Sequence, residues 1–190
     1  HLMGTVGGSL KHAAFQVATV MTTTGFATAD FNQWPILSQT ILVLLMFVGA
    51  CAGSTGGGMK VSRFIIYIKS AQKEIASLLH PSSVKKIKMD GKVVDHETIR
   101  SANVYLIIYI LLLATSILLV SINGFDLVTT VTSVIACFNN IGPGLGVVGP
   151  MGNFSSLSWL SKLVLILDML AGRLEVFPIV VLFFRDTWKR

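Results

Sequence analysis

The sequence predicts an all-α polytopic membrane protein. Three observations predict it: an apolar composition with few charges, uncharged runs near the length of a bilayer crossing, and a half-span segment that occurs twice and ends in glycine each time. The 190 residues are 53% hydrophobic with 17 glycines besides, and only 13% are charged. An average soluble domain carries ~25% charge. Disordered chains are poor in hydrophobic residues and rich in charge, so that class is excluded. Two cysteines exclude a disulfide-rich scaffold and a multi-cysteine metal module.

Residues 36–52 and 104–122 are uncharged runs of seventeen and nineteen residues. A crossing needs about 20 mostly apolar residues. The second run reads as a clean span. The first is short and runs into glycines, so it reads as a broken helix. A third apolar stretch, 160–184, contains Lys162, Asp168, Arg173 and Glu175, and reads as a span with functional charges. A core helix of a soluble protein is the alternative for any one run. Three runs with so few charges left to cover a surface argue against it.

The net charge of +6 then reports orientation rather than nucleic-acid binding, because basic residues collect in cytoplasmic loops. Nine of the 15 Lys and Arg lie between residues 60 and 100, and three more at 185–190. Segment 69–103 and the C-terminus are therefore expected to be cytoplasmic, joined by an outward span (104–122) and an inward one (157–184). The first residues lack a basic region followed by an apolar core, so no signal peptide is expected. The chain opens on His1 without an initiating Met, and is expected to be a fragment of a longer protein.

The half-span repeat comprises residues 15–26 and 131–144. Each is weakly polar, ends in small polar residues and a glycine, and precedes a loop and a long apolar helix. Gly25 to Gly49 is 24 residues and Gly142 to Gly172 is 30, which places an insertion near residues 147–153. The unit is helix, re-entrant half-helix, loop, helix. Non-helical backbone at membrane depth is tolerated only where it is buried in protein or lines a water-filled cavity. A Thr-Thr-Thr-Gly turn presents carbonyls and hydroxyls toward such a cavity. Potassium-channel filters replace an ion's hydration shell with the carbonyls of Thr-Val-Gly-Tyr-Gly loops. Thr22-Thr23-Thr24-Gly25-Phe26 shares the Thr-x-Gly-aromatic pattern, and Asn139-Asn140-Ile141-Gly142 keeps the glycine. The expected architecture is thus potassium-channel-like, with repeated helix–pore-loop–helix units, and these eight residues (Thr22 to Gly25 and Asn139 to Gly142) are the candidate ion-binding filter.

These residues, with Gly53-Ser54-Thr55-Gly56-Gly57-Gly58-Met59-Lys60 and Gly172-Arg173-Leu174-Glu175, resemble the bacterial TrkH/TrkG/KtrB superfamily of potassium uptake subunits, nearer its TrkH branch. The resemblance covers essentially the whole chain. It implies four pore repeats in the full protein. Residues 1–68 would be the third repeat without its first helix, 69–103 a cytoplasmic basic linker, and 104–190 the fourth repeat. It further implies an inner-membrane location, a homodimer of the full-length subunit, and a cytosolic nucleotide-binding regulatory partner of the TrkA or KtrA kind. Potassium enters as substrate, with no covalently bound cofactor. A secondary carrier coupling potassium to sodium or protons is the alternative function.

Segment 53–58 is not a phosphate loop, since Met59 separates the glycines from Lys60 and Val61 follows. Four glycines in six positions disfavour a helix, each by ~1 kcal/mol relative to Ala. The resemblance implies that Gly53, Ser54, Thr55, Gly56, Gly57 and Gly58 form an intramembrane gating loop and that Arg173 is a cationic barrier in the ion path. The structural alternatives are a close-packed kink and a salt bridge. Asp168 is expected either to hydrogen-bond a neighbouring helix, the reading preferred, or to draw cations into the cavity. Cys51 and Cys137 are expected to be small packing residues. The four histidines show no ligand spacing, and no nucleophile–base pair suggests an enzyme. The basic linker is expected to meet lipid headgroups, a cytosolic partner or solvent.

Overall fold

A computed structural model describes residues 6–49, 51, 54, 56–80, 86–89 and 91–174. Six α-helices account for most of them: α1 (Val6–Met21), α2 (Ile36–Phe47), α3 (Val61–Leu79), α4 (His96–Ser121), α5 (Leu127–Phe138) and α6 (Trp159–Arg173). Short 3₁₀ turns cover Phe31–Gln33 and Gly146–Val148, and a two-stranded hairpin pairs β1 (Lys88–Met89) with β2 (Lys92–Val93).

Among the described residues, α4 is the one helix long and apolar enough to cross a membrane. Its 26 residues extend about 39 Å at 1.5 Å per residue. Ile107, Leu111 and Leu118 are exposed on its outer side, while Tyr105, Tyr109, Ser116 and Val120 are buried. Helix α5 packs against both α4 and α6, which also touch each other, and is buried along nearly its whole length, though it carries Thr132 and Ser133. A hydroxyl tolerates burial when it is hydrogen-bonded. Thr132 donates to the Val128 carbonyl at 2.7 Å and Ser133 to that of Thr130 at 2.8 Å. Two side-chain caps start α5 and α6: Asp126 accepts from the Thr129 amide and Ser158 from that of Ser161. The hydrogen bonds from Thr129 hold the Asp126 carboxyl below its ordinary range.

The first apolar run breaks as expected. Helix α2 stops at Phe47, and the chain returns after the glycines so that Val48 bridges Met59. Gly49 donates to the Met59 carbonyl at 2.9 Å and Met59 to that of Phe47 at 3.3 Å. These bonds satisfy backbone groups that the broken helix leaves open. The boundaries expected near 68/69 and 103/104 fall inside helices. Helix α4 already begins at His96, and α3 continues to Leu79 because the apolar residues Phe64, Ile68, Ala71, Ile75 and Leu78 keep a helical period along it. The inward span expected over 157–184 starts at α6, and its residues after 174 lie outside the described ones. Cys137 is buried, but Cys51 is exposed, because it sits in the loop beyond the end of α2 rather than in a packed helix.

Candidate functional site

Helices α1 and α5 end in the same turn. Thr22 N–H donates to Ala18, Thr23 to Val20 and Thr24 to Thr19 at 2.9, 3.2 and 3.0 Å. Asn139 donates to Ile135, Asn140 to Cys137 and Ile141 to Ala136 at 3.0, 3.0 and 2.8 Å. The two sets are offset by 117 positions. Thr23 (φ 54°) and Asn140 (φ 56°) are the non-glycine residues in the left-handed region among the described residues. Asn adopts it readily, whereas a β-branched Thr there is uncommon. Gly25 and Gly142 follow at φ 82° and 110°, angles that a residue with a Cβ resists.

Beyond the glycines the correspondence resumes at an offset of 123. Asp30 accepts from Asn32 N–H at 3.1 Å, and Asn153 from Ser155 N–H at 3.0 Å. Trp34 donates to Phe31 at 3.2 Å and Leu157 to Phe154 at 3.3 Å. The change from 117 to 123 puts the six extra residues of the second loop between Gly142 and Asn153.

The two turns lie side by side. Gly25 is packed against the Ile141 carbonyl so closely that an added Cβ would overlap it, and a Cβ on Gly142 would stand 4.0 Å from the Gly25 Cα. Thr23, Thr24, Asn140, Ile141 and Gly142 share one wall of a cavity of about 560 Å³. The Thr22 hydroxyl donates to the Ala18 carbonyl at 2.7 Å and lies 2.8 Å from that of Thr24.

The glycine-rich segment meets both turns. Gly57 N–H donates to the Thr23 hydroxyl at 3.2 Å. The Gly57 Cα also abuts the Asn139 carbonyl, and Gly172 abuts that of Phe138, with no room for a Cβ at either. Ser54, Gly56, Gly58, Lys60, Tyr105, Gly172 and Arg173 surround a second cavity of about 170 Å³. The Arg63 guanidinium stacks 4.0 Å over the Tyr105 ring beside it, a favourable cation–π geometry. The structure thus brings Ser54, Gly56, Gly58 and Arg173 around one cavity and sets Gly57 against both turns. Gly53, Thr55 and Glu175 lie outside the described residues.

Asp168 sits 5% exposed between α4 and α6, and the Ser116 hydroxyl donates to its Oδ1 at 2.6 Å. The expected interhelical bond is therefore present.

Two supports were invisible in the sequence. Tyr109 donates from α4 to Oδ1 of the fully buried Asn139 at 2.8 Å, whose Nδ2 donates to Ile135 at 3.0 Å. Asn32 pairs with both backbone groups of Gly146: its Oδ1 accepts from the N–H at 3.0 Å and its Nδ2 donates to the carbonyl at 3.1 Å. A partner 114 residues away leaves no local signal.

Comparison with known proteins gives a consistent picture. The TrkH family, described as "Cation transport protein", matches residues 2–189. The chain is 39% identical over 181 residues to the Trk system potassium uptake protein TrkH of Salmonella typhimurium. It is 40% identical over 186 residues to that of Halomonas elongata. Each alignment covers 95% of this chain and 37% of the relative. The crystal structure of the potassium transporter TrkH from Vibrio parahaemolyticus superposes with a TM-score of 0.90 at 34% identity, over 100% of this chain and 40% of that one. The chain thus spans about two-fifths of the length of these relatives.

Proposed function

The chain belongs to the TrkH family of cation transport proteins, and from that premise we propose that it forms part of a potassium pathway across a membrane. The two turns, Thr22 to Gly25 and Asn139 to Gly142, line that pathway with carbonyls that take the place of the ion's water shell. The observation that carries this reading is the pair of adjacent left-handed turns in one hydrogen-bond pattern, meeting at Gly25 and Gly142. Helices α1 and α5 both end at the turns. The C-terminal end of a helix carries roughly half a negative charge, which favours a cation nearby.

On this reading residues 53–58 and Arg173 gate the flow from one side. The contact of Gly57 with Thr23 and Asn139 supports it, as does the cavity that Arg173 shares with Gly56 and Gly58. Segment 69–103 and the C-terminus face the cytoplasm of a bacterial inner membrane. Two turns make two sides of a ring; they belong to the third and fourth of four repeats, and the first two repeats of the full-length subunit supply the other sides. It works as a homodimer with a nucleotide-binding regulatory subunit. Potassium is the substrate, and neither a cofactor nor nucleic acid takes part.

The test is potassium-limited growth of an uptake-deficient bacterium carrying the full-length gene, followed by flux in proteoliposomes. Growth rescue and a flux driven by the potassium gradient alone are expected. A flux that requires a sodium or proton gradient makes the protein a coupled carrier, and no potassium flux overturns the proposal.

A further inference from the structure

The basic hairpin is not used by the pathway, yet it forms a built groove. Between α3 and the hairpin lies a space of about 370 Å³ bounded by Lys69, Gln72, Lys73, Lys86, Ile87 and Lys88. Ile87, 6% exposed, supplies an apolar element. The hairpin is held in place by Lys69, whose ammonium donates to the Lys88 carbonyl at 2.6 Å, and by Val94 N–H donating to Ile87 at 2.9 Å. Among the described residues, four lysines and no acid line the groove.

Its level relative to the bilayer follows from α4. The Tyr67 hydroxyl donates to the Ala102 carbonyl at 2.7 Å, two residues before the uncharged run at 104–122 begins. Tyr67 and Lys69 therefore sit where the apolar part of α4 gives way to its polar end, the headgroup level at which Tyr and Lys are favoured. On α3, Ile68, Ile75 and Leu79 are exposed. They form a stripe at helical spacing beside Lys69 and Lys73. An exposed apolar stripe next to lysines suits a membrane interface and does not suit an acidic protein surface.

We propose that this groove binds the phosphate of an anionic phospholipid at the membrane surface, with the acyl chains running along the exposed stripe of α3. The placement rests on α4 being a span and not on the ion-pathway assignment. The occupant is recognised by its negative charge, so each lysine near an anionic surface contributes roughly a fivefold gain in binding.

The experiment is native mass spectrometry of the delipidated full-length protein titrated with phosphatidylglycerol or phosphatidylcholine. The expected result is selective retention of phosphatidylglycerol. Its affinity should fall by at least about tenfold when Lys73, Lys86 and Lys88 are changed to Gln, with Lys69 kept because its bond to the Lys88 carbonyl holds the hairpin. The same three positions changed to Arg should keep the affinity, and an unchanged melting temperature of the Gln variant separates loss of charge from loss of fold. Equal retention of both lipids, or phosphatidylglycerol binding unchanged in the Gln variant, overturns the proposal. So does displacement by equimolar inorganic phosphate, which would make a free anion the ligand. Unchanged lipid binding with lost association to a cytosolic partner protein would also overturn it. Potassium flux in the same preparation is a separate readout: its failure with lipid selectivity intact rejects the ion pathway and leaves the lipid site standing.

Discussion

Gly57 donates its backbone N–H to the Thr23 hydroxyl at 3.2 Å. One residue of the glycine-rich loop thus touches the first of the two turns by hydrogen bond and the second by close packing against the Asn139 carbonyl. The second contact leaves no room for a side chain on Gly57. Gly57→Ala should lower stability by about 1–3 kcal/mol, the usual cost of overpacking. Gly7 in α1 is the control, since nothing lies within 4 Å of a Cβ there. Gly7→Ala should be neutral or gain up to ~1 kcal/mol in helix propensity. Thermal unfolding of the full-length protein in detergent measures both, and equal melting of Gly57→Ala and wild type refutes the close approach.

Gly142 acts through its torsion and not through crowding. Its φ is 110°, while the nearest atom to an added Cβ is 4.0 Å away. Gly142→Ser should therefore twist the carbonyls of the turn and reduce discrimination of potassium over sodium while expression is kept. Gly25→Ser adds an overlap with the Ile141 carbonyl and should lose stability as well. Rubidium and sodium fluxes that match wild type in Gly142→Ser would refute the filter assignment.

Arg173 shares a cavity with Gly56, Gly58 and Lys60. A positive charge beside an ion path opposes a passing cation. Arg173→Ala should raise basal potassium permeability in proteoliposomes. If flux falls to zero at normal expression, Arg173 supports the pathway instead of blocking it.

Asn32 ties the loop after the first turn to the loop after the second through Gly146. Asn32→Ala removes two hydrogen bonds at ~1 kcal/mol each, so a loss of about 2 kcal/mol is expected. A Cβ on Gly149 would collide with the Asn32 amide. Gly149→Ala should therefore be costly alone and much less so in the Asn32→Ala background, the non-additivity expected of neighbours. Additive losses in melting experiments would show that the two residues are not in contact.

Asp168 offers one oxygen to Ser116, and its Oδ2 is buried with no hydrogen-bond partner among the described residues. A buried charge without a partner is costly, and Asn presents the same acceptor without charge. Asp168→Asn should melt at or above wild type, whereas Ser116→Ala should lose about 1–2 kcal/mol. Transport lost in Asp168→Asn with an unchanged melting temperature would assign the carboxyl a part in conduction.

Much of this site was legible as composition and spacing. The break after Phe47 follows from glycine's poor helix propensity, and the recurrence of a half-helix ending in glycine pointed to both turns. A bond from Asp168 to a neighbouring helix was one of the two readings open to it, but its partner Ser116 was not legible. Helix limits were less legible. His96 to Asn103 reads as polar linker, yet it extends α4 by two turns, since polar residues continue a helix without changing its period. Cys51 reads as core from its apolar neighbours and is exposed in the loop.

The sequence by itself determined that the protein is helical and apolar, where helices must stop, and which glycines matter, because these depend on local backbone preference and on the scarcity of charge. Only the tertiary structure decided what those glycines are for. Gly25 admits the Ile141 carbonyl, Gly57 that of Asn139 and Gly172 that of Phe138. Asn32 reaches Gly146 and Tyr109 reaches Asn139. These contacts join residues far apart in the chain, and their partners are mostly backbone atoms, which every residue type carries. No side-chain pattern announces them until the helices are packed.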